Sequence, residues 1–210
     1  MRTAYSLVIL LFLFQSCEKK ETDLQFEQNV LDQVFVDIVH QTYKDKRVYT
    51  FNCKEGKPIF EKGNPIGWDH PECEKHFIAI QKDTLGLVVA ISDSVQPIDS
   101  DDKEFIPSSF KIIDTKKYRI PLADYNSQKF QFKYLSELRP DDEFENWSRK
   151  YPKFIGNLKI SKIYFDPKRE NGVVTVYYFC GSNCGLGYVV YLQKDQEQWK
   201  VKKTENTWIY

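Results

Sequence analysis

No GxSxG elbow, HExxH helix, GxxxxGK phosphate loop or GxGxxG turn occurs in the chain, so the hydrolase, metalloprotease and nucleotide-binding classes that carry local motifs have no foothold. Neither sign of charge is in excess: 30 Lys and Arg stand against 30 Asp and Glu, which excludes an electrostatic case for nucleic acid. Histidine is scarce, at three residues, so little imidazole chemistry is on offer. The apolar run Leu7 to Phe14 is far shorter than the roughly 20 residues a membrane-spanning helix needs. No internal repeat is visible.

The short apolar run fits a removed leader. Arg2 and the amino terminus form a positive start, the run follows, and Gln15 and Ser16 end it before Cys17, which predicts a signal peptide over 1–16. The segment Leu13-Phe14-Gln15-Ser16-Cys17 resembles the lipobox of bacterial lipoproteins. That resemblance implies that Cys17 is lipidated and becomes the first mature residue, with residues 17–21 as a short tether. Several acyl chains, at about 0.8 kcal/mol per buried CH₂, make such an anchor effectively permanent. Glu18 stands where an aspartate marks inner-membrane retention in that family, so the resemblance implies the outer membrane, on its periplasmic or its surface face.

Five cysteines is an odd number, and an unpaired thiol is unusual in an exported chain. With Cys17 acylated, Cys53, Cys73, Cys180 and Cys184 are left, and three connectivities are possible. The spacing favours Cys53 with Cys73, which closes a Gly/Pro-rich loop worth about 3 kcal/mol of chain entropy, and Cys180 with Cys184 across a tight turn. Two other chemistries compete for these thiols. Cys180 and Cys184 in a CxxxC spacing could serve a copper or redox site, although no helix start follows to activate a thiolate. His70, Cys73 and His76 in HPECEKH have metal-ligand spacing that Cys53 could complete, provided Cys73 is free.

Loss of the leader removes only Arg2, leaving 29 cations against 30 anions. With 41% hydrophobic, 15% aromatic and 29% charged residues, the segment 22–210 reads as a single folded domain. Phe26, Val30, Leu31, Val34, Phe35, Ile38 and Val39 recur at helical spacing. Thr22 and Gln25 form a capping box, and Lys44, Lys46 and Arg47 lie toward the negative end of the helix dipole. Its polar face carries Glu27, Asp32 and Asp37 rather than lysines, which favours docking on a sheet over lying in a bilayer interface.

Beyond it, strands are expected at Val48 to Cys53, His76 to Gln81, Leu85 to Ser92, Phe110 to Ile113, Lys117 to Leu122 and Lys129 to Leu135. Pro140 opens a short helix with Asp141, Asp142 and Glu143 in its first turn, and Pro152 stops it. A meander closes the chain: Leu158 to Phe165, Val173 to Cys180, Gly187 to Gln193, Trp199 to Lys203 and Thr207 to Tyr210. The strand Val173 to Cys180 has no polar face and is expected to be central and covered on both sides. The class is α+β: an N-terminal amphipathic helix packed on an antiparallel sheet, with a C-terminal β-meander.

Other candidates are weaker. DSDDKE at 99–104 departs from a calcium loop at Lys103 and Phe110, and DDEFE at 141–145 matches an ordinary acidic first turn better than a glycosidase pair. The segment FCGSNCGLGYVVYLQKDQEQWKV, with Trp208 near the end, resembles the C-terminal part of small envelope lipoproteins with a CGxxCGxG turn and a Trp-containing last strand. That group has no agreed biochemical role, so the resemblance carries no activity. Read from the residues, Gly181, Gly185 and Gly187 free the turn, and Trp199 and Trp208 pack the sheet. The expectation is a lipid-anchored, non-catalytic envelope protein that binds a protein or a glycan, with Trp68, Trp147 or Tyr151 as stacking residues. No cofactor is implied. The alternative is a metal or thiol-redox protein using Cys180 and Cys184.

Overall fold

The structure is a computed structural model and describes residues 21–98, 100–138, 144–181 and 184–209. The leader, Cys17 and the acidic turn at Asp141 to Glu143 lie outside the described residues.

The chain is α+β. Helix α1, Asp23–Thr42, opens on the Thr22/Gln25 capping box and buries Val30, Leu31, Val34, Phe35, Ile38 and Val39. The same face buries Glu27, which overturns its expected place on the polar face. Next come α2 (Lys46–Thr50), the hairpin β1 (Pro58–Glu61) and β2 (Asn64–Trp68), and α3 (Pro71–Lys82). Then follow β3 (Leu87–Ile91), β4 (Lys111–Ile112), β5 (Phe130–Tyr134), α4 (Phe144–Lys150), β6 (Phe154–Ile160), β7 (Tyr164–Phe165), β8 (Asn171–Gly181), β9 (Cys184–Asp195) and β10 (Gln198–Ile209).

The main sheet has the order β10-β9-β8-β6-β3-β5, with β7 paired to both β8 and β4. Most pairings are antiparallel, as expected, but β3 runs parallel to both neighbours, with Val89 opposite Phe132 on β5 and Gly156 on β6. Gly156 sits at φ +153 in a register shift there, and a Cβ on it would lie 2.5 Å from the Phe179 carbonyl oxygen, so only glycine fits. α1 covers one face of this sheet. Its apolar stripe meets Val89 and Ile91 of β3, Phe130 and Phe132 of β5, and the inward side chains of the meander in one core. A smaller cluster on the opposite face joins Val88, Ala90 and Phe154 to Leu138, with Trp147 and Tyr151 against it.

Several expected strands are something else. Val48 to Cys53 is not a strand: α2 occupies Lys46–Thr50, because the Asp45 side chain accepts from the Arg47 amide and caps it. His76 to Gln81 is the second half of α3, started by Pro71 with Glu72 and Glu74 in the first turn and buried through Cys73 and Phe77 at i, i+4. Lys117 to Leu122 contributes only the bridge between Val95 and Tyr118. Leu158 to Phe165 is two strands, broken at Ser161 to Ile163 where Lys162 turns inward. The final two expected strands are one, β10, bent by bulges at Val201/Lys203 and Asn206/Trp208.

Candidate functional site

Alternation along β8 sends Val174, Val176, Tyr178 and Cys180 into the core and Val173, Thr175, Tyr177 and Phe179 to the face away from α1. The far face was expected to be covered throughout. Val173 and Thr175 are covered, but Tyr177 is half-buried and Phe179 keeps 39% of its surface exposed. The register explains what stands beside them. Tyr177 pairs with Gly187, Phe179 with Gly185, and Gly187 in turn with Trp208 of β10. The two glycines leave an empty strip along β9, and the Trp208 indole fills it. A Cβ at Gly187 would lie 2.2 Å from Trp208 Nε1, and one at Gly185 would lie 3.1 Å from Cζ3, so the ring rests flat on the backbone. Tyr177 meets it at 6.0 Å between centroids and 27° between planes, and Phe179 at 6.4 Å.

Polar groups border this three-ring face. Asn157 and Lys159 of β6 stand opposite Phe179 and Tyr177, and Lys159 Nζ lies 5.7 Å from the Tyr177 ring. Farther along the strands Phe105, Val189, Tyr191 and Glu205 line a shallow cavity of about 410 Å³. Lys203 Nζ pairs with Glu205 at 2.5 Å; that hydrogen bond holds the Glu205 carboxyl below its usual range and the Lys203 ammonium above its own. Partial burial, then the bond to Glu205, raises the Tyr191 phenol. Flat aromatic faces beside amide, ammonium and carboxylate groups suit a ligand with an apolar face and a polar edge.

The Cys180–Cys184 bridge closes the β8–β9 end of the same face, with Cα atoms 5.1 Å apart, and Cys180 is buried in the core. Cys53 is joined to Cys73 with Cα atoms 5.9 Å apart. This second bridge stands in a separate cluster with Trp68 and Phe77. The metal-spaced set does not assemble. Cys73 is in the bridge, His70 Nε2 lies 3.1 Å from Glu55, and His76 stacks on Phe51 at 4.0 Å. Among the described residues no three His, Cys, Asp or Glu side chains are grouped to hold a metal ion.

The tryptophans named as stacking candidates lie elsewhere. Trp68 is buried against Phe51, and Trp147 and Tyr151 pack on the cluster around Phe154. Trp199 is in the core between Phe26 and Phe165. Tyr177 and Phe179 were missed as surface residues because an all-apolar strand reads as covered. The overlooked signal is the pair Gly185 and Gly187, two apart on an outward face, which leaves room for a ring.

Deep in the core is a second polar cluster. Glu27 accepts from Lys162 Nζ at 2.8 Å, from the Ile163 amide at 3.1 Å and from the Tyr118 hydroxyl at 3.4 Å. Burial drives the Glu27 carboxyl above its usual range, against the opposing pull of Lys162, and burial beside Glu27 raises Tyr118. Both Glu27 and Lys162 are fully buried, so this cluster holds α1 to the segment between β6 and β7 rather than meeting solvent. Among the described residues no helix is long and apolar enough to cross a membrane. Comparison of the chain with protein-family models, curated proteins and solved structures finds no match.

Proposed function

We propose that the protein is a lipid-anchored envelope protein, acylated at Cys17, whose folded part binds a glycan without transforming it. The observation that carries this reading is the Trp208 indole laid over Gly185 and Gly187 with Tyr177 and Phe179 beside it. A pyranose ring has one face of C–H groups, which stacks on an aromatic π-face, and a rim of hydroxyls, which Asn157 and Lys159 are placed to receive. The bridge at Cys180–Cys184 stiffens the strand ends that present the rings, so little order is lost on binding. Paired cysteines also suit an exported location.

The test is a glycan array probed with the wild-type protein and with Trp208→Ala, followed by titration of the best ligand. Saturable binding that weakens at least tenfold in the variant supports the reading. Absence of saturable binding to any glycan sinks it. The anchor is tested separately by intact mass of the native protein, which should begin at Cys17 and carry acyl groups.

A further inference from the structure

The outward face that carries Trp208 continues past Gly187. Along β9 the outward positions are Gly185, Gly187, Val189 and Tyr191, and the ladder sets Trp208, Glu205 and Lys203 of β10 opposite the last three. Tyr191 therefore shares a face with the indole, two pairs along and roughly 13 Å away at about 3.3 Å per residue. Between them lies the cavity of about 410 Å³ lined by Phe105, Val189, Tyr191, Glu205, Asn206 and Thr207. Phe105 reaches it from outside the sheet, at the end of the short 3-10 helix Ser100–Phe105, and buried Val189 forms its floor. Small-molecule sites begin at about 300 Å³, so there is room here for a ring.

The cavity repeats the chemistry of the Trp208 face, with two aromatic rings beside polar side chains. Glu205 decides what kind of polar edge fits. Lys203 Nζ at 2.5 Å and the Tyr191 hydroxyl both donate to its carboxylate and hold it ionised, so it can only accept. A carboxylate has about four acceptor positions, two of which these donors use. The Glu205 side chain keeps 44% of its surface exposed, so a ligand can reach the others. Hydroxyls on a ring with an apolar face bring the donors it needs. An aliphatic chain or an ionised acidic group brings none.

Resting on the glycan reading above, we propose that the ligand is a linear oligosaccharide longer than a disaccharide, lying along β9 with one sugar ring on Trp208 and another in the cavity beside Phe105 and Tyr191, where its hydroxyls donate to Glu205. A disaccharide seated on Trp208 leaves the cavity empty, so only a longer chain makes the second contact. Stacking as such belongs to Trp208, and the preference for chain length belongs to Tyr191 and Glu205.

The experiment is an array on which each linear glycan is printed as a ladder of one to six units, followed by calorimetry of the ladder that binds. It is run on the purified mature protein and on Trp208→Ala, Tyr191→Ser and Glu205→Gln, with circular dichroism and intact disulfide mass verifying that each variant is folded. Glu205→Gln, nearly the same shape at a partly exposed position, decides alone should Tyr191→Ser fail to fold. Affinity that rises at least tenfold from disaccharide to tetrasaccharide and then levels supports the proposal when the Tyr191 and Glu205 variants remove most of that rise and Trp208→Ala weakens every length. Equal affinity for all lengths, lost in Trp208→Ala, overturns the extended site and leaves the glycan reading standing. A rise with length that the Tyr191 and Glu205 variants retain overturns the extended site as well. No binding of any ladder overturns both.

Discussion

Lys162 Nζ lies 2.8 Å from Glu27 Oε2, 135 residues away in the chain, and neither side chain has any solvent exposure. Two desolvated charges of this kind stabilise little in total, yet depend on each other. Lys162→Met leaves Glu27 facing only the Ile163 amide and the Tyr118 hydroxyl, and urea denaturation should show a loss of about 3 to 5 kcal/mol. The double variant Glu27→Leu/Lys162→Met should recover most of that loss. A double variant as unstable as the single one would show that the pair is needed for more than mutual neutralisation.

The same carboxyl sets a pH dependence of definite sign. Burial raises Glu27 above its ordinary 4.5, so the folded state takes up a proton before the unfolded chain does. Stability contributed by Glu27 therefore increases as pH falls from the raised value to 4.5 and is lost as pH rises back through it. Asp83 behaves oppositely. Hydrogen bonds from Lys153 and Arg47 hold it below 3.8, so its contribution is present above that value and fades as pH falls through the lowered one. Denaturation measured across pH should show the wild type gaining on Glu27→Gln with acidification toward 4.5. It should also show Asp83→Asn removing part of the loss at lower pH. A wild-type advantage over Glu27→Gln that shrinks on acidification in the upper window contradicts the assignment.

Much of the fold is written in local pattern. The Thr22/Gln25 box and the three-four spacing from Phe26 to Val39 specify α1, and the alternation of Phe130 and Phe132 specifies β5. α3 was also legible, since Pro71, Glu72 and Glu74 are helix-start signals, but the apolar residues Phe77, Ile78 and Ile80 outweigh them when the segment is read for strands. Other features have no local signature. Glu27 occupies an inward position by spacing, three and four residues before Val30 and Leu31, yet only the distant Lys162 makes its burial tolerable. The parallel pairing of β3 with β5 depends on a connection that contains no α-helix among the described residues to announce a crossover. The aromatic face depends on strand order and register, which bring Tyr177 and Trp208 together across Gly187.

The two disulfides should differ in what they contribute. Cys53–Cys73 encloses a separation of 20 residues in a unit whose core is little more than Trp68, Cys73 and Phe77. Replacing both of these cysteines by serine should cost about 3 kcal/mol, concentrated in faster hydrogen exchange over the hairpin and α3. Cys180–Cys184 spans only four positions, and β8 and β9 are already zipped by their ladder from Asn171 to Phe179. Its removal should cost less, with exchange rising at the strand ends beside Phe179. Intact mass of the native protein supplies the deciding check: two bridges are expected, whereas four free thiols with bound copper or zinc would support the metal or redox alternative.

Gly187 carries the sharpest steric prediction. Its Cα faces the Trp208 indole so closely that an added methyl would sit 2.2 Å from Nε1, 2.5 Å from Cε2 and 2.6 Å from Cδ1. Backbone on a central strand cannot retreat, so the ring must lift. Gly187→Ala should destabilise the protein by about 1 to 3 kcal/mol, as overpacking does. The displaced indole should lose its near-ultraviolet dichroism against Tyr177, and glycan affinity should fall together with it. Trp208→Ala relieves the crowding, so in the background of that variant Gly187→Ala should become nearly silent in stability. Additive losses in the double variant would mean that the indole does not rest on this glycine.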